Sequence, residues 1–275
     1  MGYATSKDGT RIHYEEQGNG EPLVLVIGLG GTVDAWKQQV PFFSKDYRVI
    51  TLDNRGAGLS DAPDEPYSMP IFADDLKAVL DDLGITRTAM LGLSMGGLIV
   101  QEFYHRYPHM ISRLVLGCTG VGAGDPEYVY PEQDVMDALQ PPPEGMDLYQ
   151  QALRKIEIFY HHEYIARIPG FVEIIMEKMK DSGQAPHAYR RQLEACVLNK
   201  ESYWNSPRLK NISVPVLVIH GAEDRIWPLQ NAQYLADNIS DVEFVILPNT
   251  AHMLFLEDPN AFNDAVNNFL TRTKK

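Results

Sequence analysis

The sequence predicts an α/β fold: a mostly parallel eight-stranded sheet flanked by helices, with a helical lid inserted into it. Three observations carry this. Short β-rich apolar runs alternate with helix-period segments along most of the chain, an Asp-Gly turn signal opens it, and the alternation lapses between about residues 120 and 207. Strand and helix in alternation imply parallel strands covered by helices on both faces.

Taken in order, Tyr3 to Lys7 and Arg11 to Gln17 flank Asp8-Gly9. Both turn residues tolerate positive φ, so the chain should open with an antiparallel hairpin. Apolar runs follow at Leu23–Ile27, Tyr47–Leu52, Ala89–Leu93, Leu114–Cys118, Val214–His220 and Val242–Leu247. Each has the length of a strand buried on both faces. Between them, Met69–Leu83 sets Ile71, Leu76, Val79, Leu80 and Leu83 on one side of a helix, and Gly97–Tyr107 reads as a second helix. From about Gly120 to Pro207 no strand run occurs, and Pro141-Pro142-Pro143 and Ile168-Pro169-Gly170 punctuate helical patches near Leu148–Tyr164, Phe171–Met179 and Tyr189–Leu198. The expected division is a core of residues 1–119 and 208–275 with a helical lid at 120–207. The lid patches carry Tyr149, Phe159, Tyr160, Tyr164, Phe171, Met176 and Met179, with Trp204 just beyond. Such stripes serve either as the lid's own packing face or as the wall of an apolar pocket beneath it.

Composition narrows the function. A chain of 275 residues, 44% hydrophobic and 22% charged, is long enough for one large core with an insertion and excludes disorder and rod-like folds. Its 24 basic and 37 acidic side chains give a net charge of −13, a field that repels phosphate backbones and anionic lipid. Nucleic acid and membrane are therefore not expected partners, whereas a homodimer stays open. Two cysteines, Cys118 and Cys196, are too few for a disulfide framework or an all-cysteine zinc site, and point to a reducing cytoplasm. The most apolar stretch, Leu23 to Gly31, falls far short of the ~20 residues a spanning helix needs, and the N-terminus lacks a signal pattern. Met1-Gly2-Tyr3-Ala4-Thr5-Ser6 fits the loose myristoylation pattern but reads more naturally as strand.

The chemistry centres on Gly92-Leu93-Ser94-Met95-Gly96, a G-x-S-x-G at the end of a buried strand and the start of a helix. That context makes a nucleophile elbow, in which small residues at 92 and 96 spare a collision with neighbouring elements and Ser94 stands above the sheet. A serine hydroxyl is a poor nucleophile at neutral pH, so it needs a base, and the base needs an orienting acid. His252 follows the Val242–Leu247 strand, on a loop at the carboxyl edge of the sheet, before a helix started by Asp258-Pro259. Of the eight histidines, only His220, at the end of a strand, competes with it. Past that same strand lie Glu223 and Asp224; Asp224 is the preferred acid and Glu223 the alternative. The chain order is nucleophile, acid, histidine.

On these residues the chain resembles the α/β-hydrolase fold family, in its lid-bearing esterase, lactonase and carbon-carbon hydrolase branch. The resemblance covers nearly the whole length. It extends to Asp53-Asn54-Arg55-Gly56-Ala57-Gly58-Leu59-Ser60, similar to the family's D-x-R-G-x-G-x-S loop, and to Ala251-His252 followed by Glu257 and Pro259. Ala251 stands where many members have glycine, and Ile27, in Ile27-Gly28-Leu29-Gly30-Gly31-Thr32, where the family's H-G-x-x-G segment begins with histidine. The resemblance implies an oxyanion hole made by the backbone N–H groups of Met95 and Leu29.

The expected activity is hydrolysis of carboxylic esters through a Ser94–His252–Asp224 triad and an acyl-enzyme, with a small ester or lactone as substrate and neither metal nor organic cofactor. His105 and His109 are the nearest approach to a metal-ligand spacing, and sit better near a helix C-terminus. A serine nucleophile disfavours the dehalogenase and epoxide hydrolase branches. The alternatives are a lactonase, a carbon-carbon hydrolase acting on vinylogous diketones, and a slow-turnover, hormone-receptor-like binding protein. A diketone acid would want a cationic anchor, with Arg154, Arg167, Arg190 and Arg191 as candidates.

Overall fold

The computed structural model describes residues 1–181, 184–198 and 205–272; Trp204 lies outside them. Eight strands form one sheet: β1 (Gly2–Thr5), β2 (Arg11–Gln17), β3 (Glu21–Val26), β4 (Tyr47–Leu52), β5 (Thr88–Leu93), β6 (Ile111–Gly117), β7 (Val216–Gly221) and β8 (Val242–Leu247). Their spatial order is β1-β2-β4-β3-β5-β6-β7-β8. β1 and β2 run antiparallel, β2 pairs antiparallel with β4, and every pair from β4 through β8 is parallel.

The opening hairpin forms, but β1 stops at Thr5 and not at Lys7. Ser6 N–H donates to Thr10 O at 2.8 Å and Gly9 N–H to Ser6 O at 2.9 Å, closing a longer turn around Gly9 at φ 89°. Strand alternation then sorts side chains between two cores. Val24, Val26, Ile50 and Leu52 point to one face and Leu23, Leu25 and Val49 to the other. The first face is covered by α2 (Met69–Asp82) and α3 (Met95–Arg106), through Phe72, Leu76, Ile99 and Phe103, and by α9 (Leu229–Asn238). On the second lie Trp36, α1 (Val40–Phe43), α10 (Leu254–Glu257) and α11 (Pro259–Thr271), whose Phe262 and Phe269 are fully covered. Burying one such ring stabilises the fold by about 1.5–3 kcal/mol.

Between β6 and β7 the chain runs through α4 (Gln133–Leu139), α5 (Leu148–Phe159), α6 (His162–Ala166), α7 (Phe171–Asp181) and α8 (Pro186–Leu193), the last continued by a π turn over Glu194–Leu198; no strand occurs there among the described residues. Ala152, Ile156, Phe171 and Ile175 form a small core of this segment's own, joined by Tyr160, Tyr164, Met176 and Met179. Most of the aromatic and Met stripe is therefore packing within the helices. No helix among the described residues is long and apolar enough to cross a membrane.

The strand order reverses at β3. From β3 the chain goes first to β4 on one side and later to β5 on the other. The loops leaving the carboxyl ends of β3 and β5 consequently face one crevice, the place where open parallel sheets collect ligand-handling groups.

Candidate active site

Ser94 occupies the one-residue turn between β5 and α3 at φ 56°, ψ −123°, a conformation that costs an L-residue of order 1–3 kcal/mol. Close approach of three elements enforces it. A Cβ on Gly92 would strike the Gly96 carbonyl, and one on Gly96 would strike the Val26 carbonyl of β3. Ser94 N–H donates to Gly117 O at 2.9 Å, and Ser94 O accepts from Gly97 N–H and Thr119 Oγ1, each at 2.9 Å. With its backbone pinned, the hydroxyl projects into an apolar cavity of about 110 Å³.

His252 faces the same cavity from the loop after β8. Its Nδ1 lies 2.8 Å from Oδ2 of Asp224, from the loop after β7, and both residues are buried. Asp224 Oδ1 accepts from Ile226 N–H at 2.8 Å and Trp227 N–H at 3.0 Å. Burial alone would push the Asp224 carboxyl up, but the charge and hydrogen bond of His252, with His220 and the Trp227 amide, outweigh it and hold the group below its ordinary 3.8. An anion fixed there makes His252 carry its proton on Nδ1 and leaves Nε2 to the cavity. Among the described residues no hydrogen bond joins Ser94 Oγ to His252 Nε2. The serine oxygen accepts from Trp227 Nε1 at 3.3 Å instead.

The histidine loop is braced from behind. Ala251 N–H donates to both oxygens of buried Glu257 at 3.2 Å, and His161 N–H, from the α5–α6 junction, donates to its Oε2 at 3.0 Å. Met253 N–H donates to Phe159 O at 3.1 Å, and the Phe159 ring stands edge-on to His252 with centroids 5.6 Å apart. Helices of the insertion thus grip the loop that carries His252. Burial raises the Glu257 carboxyl above its ordinary 4.5, the Ala251 and His161 N–H groups notwithstanding. In the sequence Glu257 stands out only within the family pattern around His252, and His161 carries no mark of a role.

Across the cavity, the loop after β3 brings Gly28 against the elbow: a Cβ there would sit 2.8 Å from Ser94 Cβ. Leu29 follows it in the cavity wall, and Met95 begins α3, where a helix leaves its first amides without intrahelical partners. Leu29, Met95 and Ser94 thus border one cavity. Ile27 lacks the imidazole that would brace this loop, and Asn54 of the Asp53–Ser60 loop does so instead, its Nδ2 donating to Ile27 O at 2.8 Å. Asp53 organises the rest, accepting from Val33 N–H at 2.8 Å and Leu59 N–H at 2.9 Å and meeting His13 Nδ1 at 2.8 Å. Arg55 is spent on a buried pair with Asp75 at 2.5 Å.

Several candidates fall elsewhere. Glu223 turns away, its half-exposed carboxylate 2.9 Å from His161 Nε2. His220 is wholly buried with Nε2 donating to Trp227 O at 2.7 Å, and burial lowers its pKa; it backs Asp224 at 3.7 Å as a neutral ring. None of the four arginines lines the cavity. Arg167 and Arg190 are exposed, Arg191 pairs with Asp64 and Glu194, and Arg154 donates to Asp137 O at 2.6 Å. Lys155, not singled out in the sequence, is a desolvated cation of the insertion. Two clusters bring three potential metal donors within 4.8 Å of one another: Cys118, Asp224 and His252, and His161, His162 and Glu223. In the first, the His252–Asp224 bond uses the facing atoms and burial pushes the Cys118 thiol well up, away from thiolate. In the second, His161 Nδ1 accepts from Glu163 N–H at 3.3 Å, which places the proton on the nitrogen facing Glu223.

Strand–turn–helix serine, a histidine held by a buried acid, and a glycine-rich loop against the serine define a class: hydrolases built on an open α/β sheet. The chain belongs to the α/β hydrolase fold family, whose sequence profile matches residues 21–259. It is similar to 3-oxoadipate enol-lactonase 2 of Acinetobacter baylyi, 28% identical over 91% of this chain and 88% of that one. It is 30% identical to the 2-hydroxy-6-oxononadienedioate/2-hydroxy-6-oxononatrienedioate hydrolase of Burkholderia vietnamiensis, over 98% and 96% of the two chains. Among solved structures, the enol-lactonase of Burkholderia xenovorans superimposes with a TM-score of 0.81 at 29% identity, covering 98% of this chain and 100% of that one.

Proposed function

We propose that this chain is a serine hydrolase that opens small carboxylic esters, lactones included, through an acyl-enzyme on Ser94. The observation that carries the reading is the strained Ser94 at the elbow, facing one cavity with a His252 whose Nδ1 is held 2.8 Å from buried Asp224. In the first step the Ser94 hydroxyl swings from Trp227 toward His252, gives its proton to Nε2 and attacks the ester carbonyl carbon. Negative charge builds on the carbonyl oxygen, where the N–H groups of Leu29 and Met95 receive it. His252, now imidazolium and stabilised by Asp224, protonates the departing alkoxide. Water then attacks the acyl-enzyme with His252 again as base, releasing the acid and restoring Ser94. With a lactone the alkoxide stays tethered and leaves as part of the same product.

Lactone opening is supported by the 28% and 29% identity to enol-lactonases. The 30% identity to a 2-hydroxy-6-oxononadienedioate/2-hydroxy-6-oxononatrienedioate hydrolase keeps carbon-carbon cleavage as the alternative, but among the described residues no arginine lines the cavity to anchor an acidic diketone. Size favours a short acyl group: about 110 Å³ is less than the ~150 Å³ cavity that holds one benzene. Steady-state hydrolysis of nitrophenyl esters from acetyl to dodecanoyl, beside an enol-lactone and a vinylogous diketone, tests the reading on wild type and Ser94→Ala. The expected result is turnover of acetyl to butyryl esters and of the lactone, lost on substitution. A folded protein that cleaves only the diketone, or releases one equivalent of product and stops, overturns it in favour of the carbon-carbon hydrolase or the receptor.

A further inference from the structure

The loop that carries Leu29 has little conformational preference of its own. Gly28, Gly30 and Gly31 surround Leu29, and Gly30 sits at φ 69°. Hydrogen bonds must therefore decide which way its peptide groups face. Two come from the core, Asn54 Nδ2 to Ile27 O and Val33 N–H to Asp53 Oδ1, each 2.8 Å, and these fix the ends of the loop. Gly31 N–H closes a turn onto Gly28 O at 3.1 Å. The middle is held from the insertion: Gly30 N–H donates to Oε1 of Gln192 in α8 at 2.9 Å.

Gln192 is fully buried, and its amide orientation is forced. Its Nε2 donates to Arg55 O at 2.8 Å while Oε1 takes Gly30 N–H, and a flipped amide would set donor against donor and acceptor against acceptor. Gln184 Nε2 donates to the same Oε1 at 3.3 Å and to Gly56 O at 2.9 Å. His187 Nε2 lies 2.9 Å from Ala62 O. α8 is thus seated on the Arg55–Ala62 stretch of the core, and its seating presents one carbonyl oxygen to the oxyanion loop. Fixing Gly30 N–H fixes the Leu29–Gly30 peptide plane, and the Leu29 N–H belongs to the adjoining plane.

We propose that Gln192 is a positioning residue that couples the seating of α8 to the aim of the Leu29 N–H, so that the oxyanion hole is complete only when the helical insertion is docked. The inference rests on the serine-hydrolase reading above. When α8 lifts, Gly30 N–H loses its acceptor and the loop is free to turn; when α8 docks, the hole forms around the bound carbonyl. The insertion is then part of the catalytic device as well as the wall of the cavity.

The test compares wild type with Gln192→Met, which keeps length and loses both hydrogen bonds, and Gln192→Glu, whose buried carboxyl, held protonated by desolvation, keeps an acceptor for Gly30 N–H and an O–H donor for Arg55 O. On a short nitrophenyl ester, Gln192→Met is expected to lower kcat by about 10- to 100-fold, part of the loss from removing an oxyanion donor outright, with KM within about threefold. Affinity for an alkylboronic acid, which forms a tetrahedral adduct on the serine, should fall in parallel, and Gln192→Glu should recover a good part of both. A KM effect alone, or equal losses in both variants, would show a merely structural role. Amide hydrogen exchange on the wild type covers the case in which Gln192→Met does not fold. Gly30 N–H is expected to exchange through the same opening as the α8 amides, and protection independent of α8 would overturn the coupling. If Ser94→Ala retains ester turnover, the hydrolase reading fails, while the exchange measurement still judges the coupling.

Discussion

Lys155 offers a quantitative check on how the insertion is packed. Its ammonium donates to Tyr189 Oη at 3.0 Å and stands 5.1 Å over the Tyr189 ring and 5.9 Å over that of Phe159. Among the described residues no carboxylate lies within ion-pair distance of it. Burial, helped by repulsion from Arg154, lowers its pKa from 10.5 to about 8. That shift corresponds to about 3 kcal/mol against the folded state. Partial exposure screens it, and Lys155→Met also gives up the hydrogen bond to Tyr189, so the net gain on substitution is on the order of 1–2 kcal/mol at pH 7. The sign follows from linkage. Below about pH 8 both folded and unfolded Lys155 are protonated and the full penalty applies; between about 8 and 10.5 only the unfolded state keeps the proton, so wild-type stability rises with pH. Urea unfolding of both proteins at pH 7 and pH 10 reads this directly. The methionine variant should be more stable at pH 7, and its advantage should shrink by pH 10. An equal gap at both values, or a less stable variant at pH 7, would refute a desolvated ammonium at this position.

Asp224→Asn should fold normally and lower kcat on the order of 10⁴-fold, because an amide in place of the acceptor at 2.8 Å no longer holds the His252 tautomer; kcat with far-ultraviolet circular dichroism checks both halves. Gly28→Ala places a methyl 2.8 Å from Ser94 Cβ, so ester turnover should fall at least about 100-fold, with a much smaller loss in urea midpoint. Gly96→Ala drives its methyl into the Val26 carbonyl, which is backbone and cannot yield, so destabilisation of about 3 kcal/mol or more should appear in the same unfolding assay. Glu257→Gln keeps an oxygen for the His161 amide but sets an N–H against the Ala251 amide next to His252, and a roughly 10-fold loss in kcat with KM unchanged is the expected reading.

What could be read from the sequence divides along a physical line. The elbow was legible because its cause is local: a strained residue flanked by glycines between strand and helix needs only neighbours in the chain. The strands were legible for the same reason, their pattern being one of adjacent residues, and the errors fell at ends such as Lys7, where turn hydrogen bonds set the boundary. What separates Asp224 from Glu223 lies in three dimensions: Asp224 turns inward onto the Ile226 and Trp227 amides, and Glu223 outward to His161. Gln192 had no readable signal. A glutamine in an amphipathic helix passes for a solvated face, and its partner Gly30 is 162 residues away. His161 and Glu257, 96 residues apart, were silent in the same way.

The groups proposed to touch substrate, Ser94, His252 and the Leu29 and Met95 amides, all lie at the carboxyl edge of the sheet, Met95 at the start of α3 and the others on turns and loops, with Asp224 behind them on another loop. The groups that aim those loops come in large part from the insertion: Gln192 on the oxyanion loop, His161 on Glu223 and Glu257, and the Phe159 carbonyl on Met253. An insertion that only covered the cavity could be exchanged freely to suit a new substrate. One that also supplies these hydrogen bonds cannot be, since grafting helices over the loop without an acceptor for Gly30 N–H would leave that group covered and unpaired at a cost of about 1–3 kcal/mol. Substrate range should therefore be easier to alter at cavity positions that make no such contact, Leu139 and Val197 among them, than by replacing α5 or α8 as units.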